Sequence, residues 1–244
     1  MGNIFAVTSG KGGVGKSTVS VGLSLAFSKM GQRVLLVDMD EGLRCLDVML
    51  GLDEKVVFDL SDILSGNNDI SDAIYYTEDN PLLHLIPAPA KLGQIDPFAF
   101  SRFVEKIVPF YDNVIFDFPA GIDFSLYTCL PKEALFIAVA FPDPITIRDA
   151  SVVSQKLSEI GVASRLVINC FDYSLTKRKI YNNIDDIIDK SGLRLLGIVP
   201  KSRELSLLSV KHKLKNKSNA MKAFSRIAKR LLGENVLLPD LKKI

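Results

Sequence analysis

The sequence predicts an α/β protein in which a doubly wound, mainly parallel sheet is flanked by helices on both faces. Short, continuously apolar segments alternate with segments of helical period, and strands that are covered on both faces have this uninterrupted apolar pattern. Parallel strands also need crossover connections, which the intervening helices supply. The predicted strands are Ile4–Thr8, Val34–Asp38, Leu82–Pro87, Val114–Phe118, Leu135–Phe141, Leu166–Asn169 and Leu195–Val199.

The helices between these strands are placed by their apolar period and by the residues that stop them. Gly31, Gly161 and Gly192 each follow a helical segment, as glycine commonly does at a helix end, and Pro109 follows another. The predicted helices are Ser17–Lys29, Phe100–Val108, Ile147–Ile160 and Ile184–Lys190. The chain has no internal repeat or flexible linker, so we expect one domain at 1–233 and a short tail at 234–244.

A last helix is predicted at Ala220–Leu232. Its apolar residues recur at helical spacing on one side and its basic residues lie on the other, with Asn219 as the expected cap and Gly233 as the stop. Such a helix either packs on the sheet or lies on a membrane surface. We expect it to pack on the sheet, which is the commoner arrangement in globular domains.

Composition excludes several classes of protein. The 244 residues carry 30 Lys and Arg against 28 Asp and Glu, and 48% of the side chains are hydrophobic, as in globular rather than disordered or fibrous chains. No apolar run approaches the roughly 18 residues of a membrane-spanning helix. The amino-terminal segment lacks signal-peptide features, and Cys45, Cys129 and Cys170 form no CxxC pair. We therefore expect a cytoplasmic protein without a disulfide framework.

The small net charge conceals an asymmetry along the chain. Residues 1–200 hold 18 basic and 25 acidic side chains, whereas residues 201–244 hold 12 basic and 3 acidic ones. A basic carboxyl-terminal segment of this kind accompanies contact with nucleic acid or an anionic membrane, or is a solvated face of a terminal helix. The sequence leaves these interpretations open.

The strongest motif is a phosphate-binding loop directly after the first strand. Residues 10–17 satisfy G-x-x-x-x-G-K-[ST], in which glycines let consecutive N–H groups turn toward phosphate oxygens. Lys16 is expected to reach the β- and γ-phosphates, and the Ser17 hydroxyl to coordinate Mg²⁺. The residues predicted here to bind a nucleoside triphosphate are Gly10, Lys11, Gly12, Gly13, Val14, Gly15, Lys16, Ser17 and Thr18.

Lys11 adds a second cation to this loop. The segment from Lys11 to Thr18 resembles the deviant Walker A motif, K-G-G-x-G-K-[ST]-T, of the MinD/ParA ATPases. In that family two subunits enclose two ATP molecules, and the signature lysine reaches the partner's nucleotide. The resemblance implies a P-loop NTPase fold, ATP and Mg²⁺ as ligands, slow ATP hydrolysis, an ATP-dependent homodimer, and catalytic roles for Lys11 and Lys16.

Two acidic segments follow other strands of the predicted sheet. Carboxylates at the carboxyl end of a strand beside a phosphate loop lie where Mg²⁺ and the attacking water must sit. The first segment, Asp38 to Asp47, resembles the MinD switch I pattern D-x-D-x-G-L-R-N-L-D, with Cys45 in place of the usual asparagine. The resemblance implies that Asp38 supports the Mg²⁺ shell and that Asp40 orients the hydrolytic water.

The second acidic segment is Asp117 to Gly121, where an apolar strand ends in an aspartate as in a Walker B motif. It resembles the D-x-P-A-G switch II of the MinD branch, so Asp117 is expected to join Ser17 and Asp38 in holding Mg²⁺. Gly121 is expected to offer its N–H to the γ-phosphate. The residues predicted to form switch II are Asp117, Pro119, Ala120 and Gly121.

The resemblance also implies a base pocket and a dimer face. Asn169, at a strand end, is expected to bond the adenine, together with Pro200 and Lys201 after the next strand. Cys170 and Lys201 stand where relatives carry arginine and an acidic residue. Arg148 and Asp149 are expected on the dimer face.

Two functions remain open for a member of this family. The first is a MinD-like ATPase for division-site placement, with a protein activator or effector of MinE or MinC type. The second is a ParA-like or flagellar-number-type ATPase that binds DNA or another structural partner through its basic carboxyl-terminal face. The switch segments favour the first. Pro239 interrupts the apolar tail that ends at Ile244, so we expect membrane contact to be weak or absent.

Overall fold

A computed structural model describes residues 2–121, 124–178 and 183–243. Its strands form one sheet in the order β3-β4-β2-β5-β1-β6-β7-β8. Every neighbouring pair is parallel except β3 and β4, which pair antiparallel. The strands are β1 Asn3–Thr8, β2 Val34–Asp38, β3 Tyr75–Thr77, β4 Asn80–Ile86, β5 Asn113–Asp117, β6 Leu135–Ala140, β7 Ala163–Phe171 and β8 Leu195–Pro200.

Helices cover both faces of this sheet, which confirms the predicted three-layer α/β fold. One face packs against α3, α4, α6 and α8, and the other against α1, α2, α10 and α11, so there are two hydrophobic cores. The helices are α1 Lys16–Lys29, α2 Leu46–Leu50, α3 Leu60–Leu64, α4 Pro97–Ile107, α5 Phe124–Tyr127, α6 Pro144–Glu159, α7 Tyr173–Lys177, α8 Ile184–Ser191, α9 Arg203–Ser206, α10 Leu208–Lys211 and α11 Asn219–Leu231. Single 3₁₀ turns lie at Asp53–Lys55, Ile70–Ala73, Val108–Phe110 and Leu241–Lys243.

Each strand predicted from the sequence is present; β2 has the predicted bounds, and the ends of the others differ by at most a few residues. All five residues of β2 and of β5 are buried, which explains their uninterrupted apolar sequences. The Walker B strand ends at Asp117 rather than at Phe118. The antiparallel edge strand β3 was not predicted, because its three partly exposed residues are too few to show a recognisable hydrophobic pattern.

Two helices begin earlier than predicted, each with an aspartate cap followed by a proline at its first position. Asp96 caps α4 by accepting the Ala99 N–H at 2.8 Å, and Pro97 opens the helix. Asp143 caps α6 in the same way, and Pro144 belongs to the helix rather than to the preceding loop. Proline at the first helical position loses no intrahelical bond, so it marks a beginning here.

The terminal helix α11 packs on the sheet, as expected, but its predicted cap was wrong. Ser218 caps it by accepting the Met221 N–H at 3.2 Å, and Asn219 is the first helical residue. A Cβ on Gly22 of α1 would lie 2.3 Å from the Phe224 ring, so α1 and α11 touch closely at that point. The expected stop at Gly233 is confirmed by its φ of 86°.

The tail after α11 lies along the edge of the sheet. The Arg230 guanidinium donates through Nη1 to the Leu196 carbonyl at 2.7 Å and through Nε to the Val236 carbonyl at 2.8 Å. Leu237 is 82% exposed, and Ile244 lies outside the described residues. In the part of the chain that the structure describes, no helix has the length and apolar character needed to cross a bilayer.

Candidate nucleotide-binding site

The phosphate loop joins the carboxyl end of β1 to the first turn of α1. Gly13 and Gly15 have φ values of 81° and 83°, a region that other residues rarely adopt. A Cβ on Gly15 would lie 2.2 Å from the Asn169 Nδ2 atom, and one on Gly10 would lie 2.8 Å from the Asp149 Cβ. The loop therefore needs glycine at Gly13 for backbone conformation, at Gly10 for space and at Gly15 for both.

The two lysines of this loop lie in different environments. Lys16 is only 8% exposed; burial raises the pKa values of Asp40 and Asp117, and the positive charge of Lys16 offsets part of that rise. Lys11 is exposed, and its carbonyl accepts the Ser9 hydroxyl at 2.7 Å. Lys16 thus points its charge into the site of its own chain, whereas the Lys11 ammonium is available to solvent or to another molecule.

Asp38 and Asp117 are neighbours at the ends of β2 and β5 and are both fully buried. Burial and, to a smaller extent, the negative charge of Asp117 raise the pKa of Asp38 to about 7, against the backbone N–H groups that donate to its carboxylate. Burial raises the pKa of Asp117 to about 6, against hydrogen bonds from Ser17 and Ser20 and the charge of Lys16. Because a nearby cation would favour the charged form of both, this pair suits a divalent metal ion.

Asp38 also holds the switch I loop in place. One carboxylate oxygen accepts the Asp40 N–H at 3.0 Å, and the other accepts the Cys45 and Leu46 N–H groups at 3.2 and 3.3 Å. These last two N–H groups belong to the start of α2, where a negative charge is favourable. Burial raises the pKa of the Cys45 thiol to about 11, although a hydrogen bond with Ser17 lowers it, so the thiol stays neutral.

A residue that the sequence did not single out ties switch I to a second loop. The Glu41 carboxylate accepts the Gln94 and Ile95 N–H groups at 2.7 and 2.8 Å through Oε1, and the Gly93 N–H at 2.9 Å through Oε2. The Gly42 N–H also donates to the Pro89 carbonyl at 2.9 Å. No local pattern could have revealed this contact, since the partners lie about fifty residues away.

Switch II lies against the phosphate loop, but Gly121 does not present a free N–H. Its N–H donates to the Ser9 carbonyl at 3.0 Å, and its φ is 106°. A Cβ on Gly12 would come within 3.9 Å of the Ala120 side chain, so the two segments touch. The expected donation from Gly121 to a γ-phosphate therefore requires the bond to Ser9 to break; Pro119, before Ala120, is half-buried.

The predicted base residues are only partly brought together. Asn169 is buried; its Nδ2 donates to the Val14 carbonyl at 2.9 Å, and its Oδ1 has no hydrogen-bond partner among the described residues. Such an acceptor suits the amino group of an adenine. Pro200 pairs with Phe171 across β7 and β8, and the exposed Lys201 donates its N–H to the Phe171 carbonyl at 2.9 Å.

The residues assigned to the dimer face lie on α6. Arg148 is exposed, and Asp149 is half-buried with its Cβ and carbonyl beside Gly10. The structure therefore places this helix next to the phosphate loop, and the role of both residues in dimerisation stays a prediction.

The donor set fits Mg²⁺ bound together with a nucleotide. Among the described residues no cluster of three His, Cys, Asp or Glu side chains could hold a metal alone. Mg²⁺ is usually held by one or two carboxylates, and water and substrate phosphates complete its shell. Asp38 and Asp117 supply two carboxylates beside the loop, and Ser17 adds a hydroxyl at the start of α1.

Comparisons with known proteins agree with this geometry. Residues 5–215 match the CobQ/CobB/MinD/ParA nucleotide binding domain. The chain is similar to the septum site-determining protein MinD of Bacillus subtilis, with 34% identity over 100% of this chain and 94% of that protein.

Solved structures give the same picture. The MinC:MinD cell division protein complex of Aquifex aeolicus matches with a TM-score of 0.89 and 31% identity, covering 98% of each chain. The septum site-determining protein MinD complexed with Mg-ADP from Pyrococcus horikoshii OT3 matches with a TM-score of 0.83 and 26% identity, covering 95% of this chain and 96% of that one.

Proposed function

Since the chain belongs to the CobQ/CobB/MinD/ParA family of nucleotide-binding domains and its relatives are MinD proteins, we propose that it is a MinD-like, Mg²⁺-dependent ATPase that acts as a switch in division-site placement. The observation that carries this proposal is the convergence of a buried lysine and two buried carboxylates on one glycine-rich loop. This combination suits a triphosphate with its metal ion and has no other evident use.

Each residue of the site has a proposed task in ATP hydrolysis. The loop amides and Lys16 hold the phosphates, Asn169 bonds the adenine through its unpartnered oxygen, and Ser17, Asp38 and Asp117 would hold Mg²⁺. When bound, Mg²⁺ neutralises charge on the phosphate oxygens. Asp40 orients the water, and hydrolysis is expected to be slow because positioning and charge neutralisation, rather than a strong general base, carry this chemistry.

Lys11 supports the proposal that two copies of the chain enclose their nucleotides. The structure leaves its side chain exposed while Lys16 is buried in the same loop. A cation on the loop surface can meet the triphosphate of a facing subunit and stabilise charge on the transferred phosphoryl group. We propose a homodimer that forms with ATP and separates after hydrolysis, when switch II rearranges.

The proposed partner and location follow the relatives. The Aquifex aeolicus structure is a complex of MinC with MinD, so a MinC-type effector, and by analogy a MinE-type activator, are the proposed partners. We place the protein in the cytoplasm with at most weak attachment to the membrane.

One observation favours the second candidate function. The segment from the end of α10 to the start of α11 carries four exposed lysines, Lys211, Lys213, Lys215 and Lys217, and among them only Lys213 forms an ion pair within the described residues, with Asp79. An exposed basic segment suits an anionic partner such as DNA. A ParA-like role therefore remains the alternative.

Lys11→Ala compared with Lys16→Ala tests the proposal. Lys11→Ala should bind ADP and ATP but stay monomeric in sedimentation velocity with a non-hydrolysable ATP analogue, because it lacks only the cation for the partner's site. Lys16→Ala should lose nucleotide affinity itself. The wild-type chain should be monomeric with ADP and dimeric with the analogue.

Two results would count against this function. A wild-type chain that binds no adenine nucleotide would refute the assignment of the site. A Lys11→Ala chain that dimerises and hydrolyses ATP normally would refute the role of Lys11 across the dimer while leaving nucleotide binding intact.

A further inference from the structure

A large cavity lies away from the phosphate loop. It has a volume of about 850 Å³ and runs between α4 on one side and the segment from α3 to the Ile70–Ala73 turn on the other. Arg33 and Tyr111, at one end, lie just before β2 and β5. This end of the groove is therefore at the amino edge of the sheet, opposite the edge that carries the nucleotide site.

The floor of this groove is apolar. Ile63, Phe103, Ile107 and Tyr111 are buried beneath it and belong to the core of that face, and Ile70 is half-buried in the opposite wall. The volume falls within the range of pockets that enclose small organic ligands. An aliphatic or aromatic body could pack here without leaving polar groups of the protein unpaired.

The rim of the groove is basic. Arg33, Arg102 and Lys106 line it, all are exposed, and none forms an ion pair within the described residues. Arg33 lies over the Tyr111 ring at 5.6 Å. The lining holds three basic residues against one acidic residue, Asp69, whose carbonyl accepts the Asp72 N–H at 3.0 Å at the start of the 3₁₀ turn.

A ligand complementary to an apolar floor beneath unpaired cations has an apolar part and a negative charge. We propose that this groove binds a free anionic amphiphile, a molecule with one aliphatic or aromatic body and one acidic group. The body packs on Phe103, Ile107 and Ile70, and the acid pairs with Arg102 and Lys106. These two cations are one helical turn apart on α4, so both can reach a single acid group.

The shape of the site selects a single molecule rather than a membrane surface. A bilayer presents a broad surface, which does not enter a groove whose floor is buried. The groove also differs from a packing void in the hydrophobic core, because a void would be lined by apolar side chains alone, whereas unpaired cations line this rim. The inference does not depend on nucleotide binding, since it shares no residue with that site.

Isothermal titration with dodecanoate, below its micelle concentration, tests the proposal. We expect one site per chain, with dodecyltrimethylammonium binding at least about tenfold more weakly because its charge is opposite. Arg102→Glu combined with Lys106→Glu should weaken dodecanoate binding by at least about tenfold. Ile70→Asp, which places a carboxylate on the apolar wall, should weaken it independently.

A matched pair of substitutions provides the control. Lys132 and Arg194 are also exposed, form no ion pair with any described residue and lie outside the groove, so Lys132→Glu with Arg194→Glu should leave dodecanoate affinity unchanged. ATP turnover should be the same in all these variants. Equal binding of both amphiphiles, unchanged affinity in the Arg102 and Lys106 variant, or binding only to anionic phospholipid vesicles would each overturn the proposal.

Discussion

At the scale of single residues, the site places two carboxylates in a position that costs stability. Asp38 and Asp117 are register neighbours, and burial raises the pKa of both. Only a few hydrogen bonds and the charge of Lys16 offset this cost in Asp117. The pair is therefore better suited to holding a cation than to stabilising the fold of the free protein.

Asp117→Asn should make the nucleotide-free protein more stable and abolish Mg²⁺-dependent hydrolysis. Removing one of two neighbouring buried charges should raise the free energy of unfolding at pH 8 by about 3 kcal/mol, given a pKa of about 6 in the folded chain. Urea unfolding and an ATPase assay measure the two effects. Ser20→Ala, which removes a hydrogen bond to the same carboxylate, should instead lower stability.

The stability gained by Asp117→Asn should depend on pH in a definite direction. The raised pKa means that folded Asp117 holds its proton more tightly than the unfolded chain does. The penalty is absent below about pH 4 and grows as the pH rises through about 6. The advantage of Asp117→Asn should therefore increase between pH 4 and 7. An advantage that is constant over this range would argue against charge as its cause.

Which residues could be predicted depended on how local their contacts are. Lys16 and Ser17 were found because the loop, the strand and the helix that position them are contiguous. Asp38 and Asp117 were found because parallel strands bring their carboxyl ends to one edge. Glu41 was missed, since its three N–H partners lie in a distant loop whose conformation the sequence does not reveal.

At the scale of elements, the cap of α11 predicts different effects on stability for substitutions at two adjacent residues, Ser218 and Asn219. Ser218→Ala should lower the free energy of unfolding by about 1 kcal/mol, because its hydroxyl accepts the Met221 N–H. In a chain of this length the melting temperature should fall by about 2–4 °C. Asn219→Ala is the matched control and should change stability by less than about 0.5 kcal/mol. The opposite order of effects would restore Asn219 as the cap.

The loop at Gly93–Ile95 should depend on Glu41 for its order. Glu41→Gln removes the negative charge that accepts three N–H groups, so the exchange of those amide hydrogens should quicken by about tenfold or more. Hydrogen exchange by NMR measures this directly. Glu105→Gln, at an exposed carboxylate of α4, is the control. Unchanged protection at Gln94 and Ile95 would contradict the coupling between this loop and switch I.

Elements were predicted in proportion to their length. The buried strands and α1 carry patterns long enough to recognise, whereas α2, α3 and β3 have five residues or fewer. Switch I contains one of these short helices, held by Asp38 rather than by its own period. Its geometry follows from contacts across the sheet, so the sequence indicated its chemistry but not its shape.

At the scale of the whole molecule, the arrangement of α11 and the tail bears on membrane contact. The apolar side of α11 is buried against α1 and β8, and Arg230 holds the tail to the sheet edge. We therefore expect only a small fraction of the protein to sediment with anionic liposomes in the presence of ATP. The same experiment with ADP is the control.

Two other outcomes would change this view of the molecule. Strong sedimentation that requires ATP would mean that the tail leaves the sheet and binds the membrane. Binding to non-specific duplex DNA, with an affinity that falls steeply as salt is added, would favour the ParA-like alternative through the basic segment.

The close contact of Gly22 with Phe224 has a consequence for how the protein is made. It joins a helix near the beginning of the chain to one about two hundred residues later. A ribosome needs about 10–40 seconds to synthesise that stretch. Throughout this interval the side of α1 that later packs against α11 stays exposed to solvent. A nascent chain should therefore be a client for chaperones that shield apolar surface, and it should acquire ATP only after synthesis of its last helix.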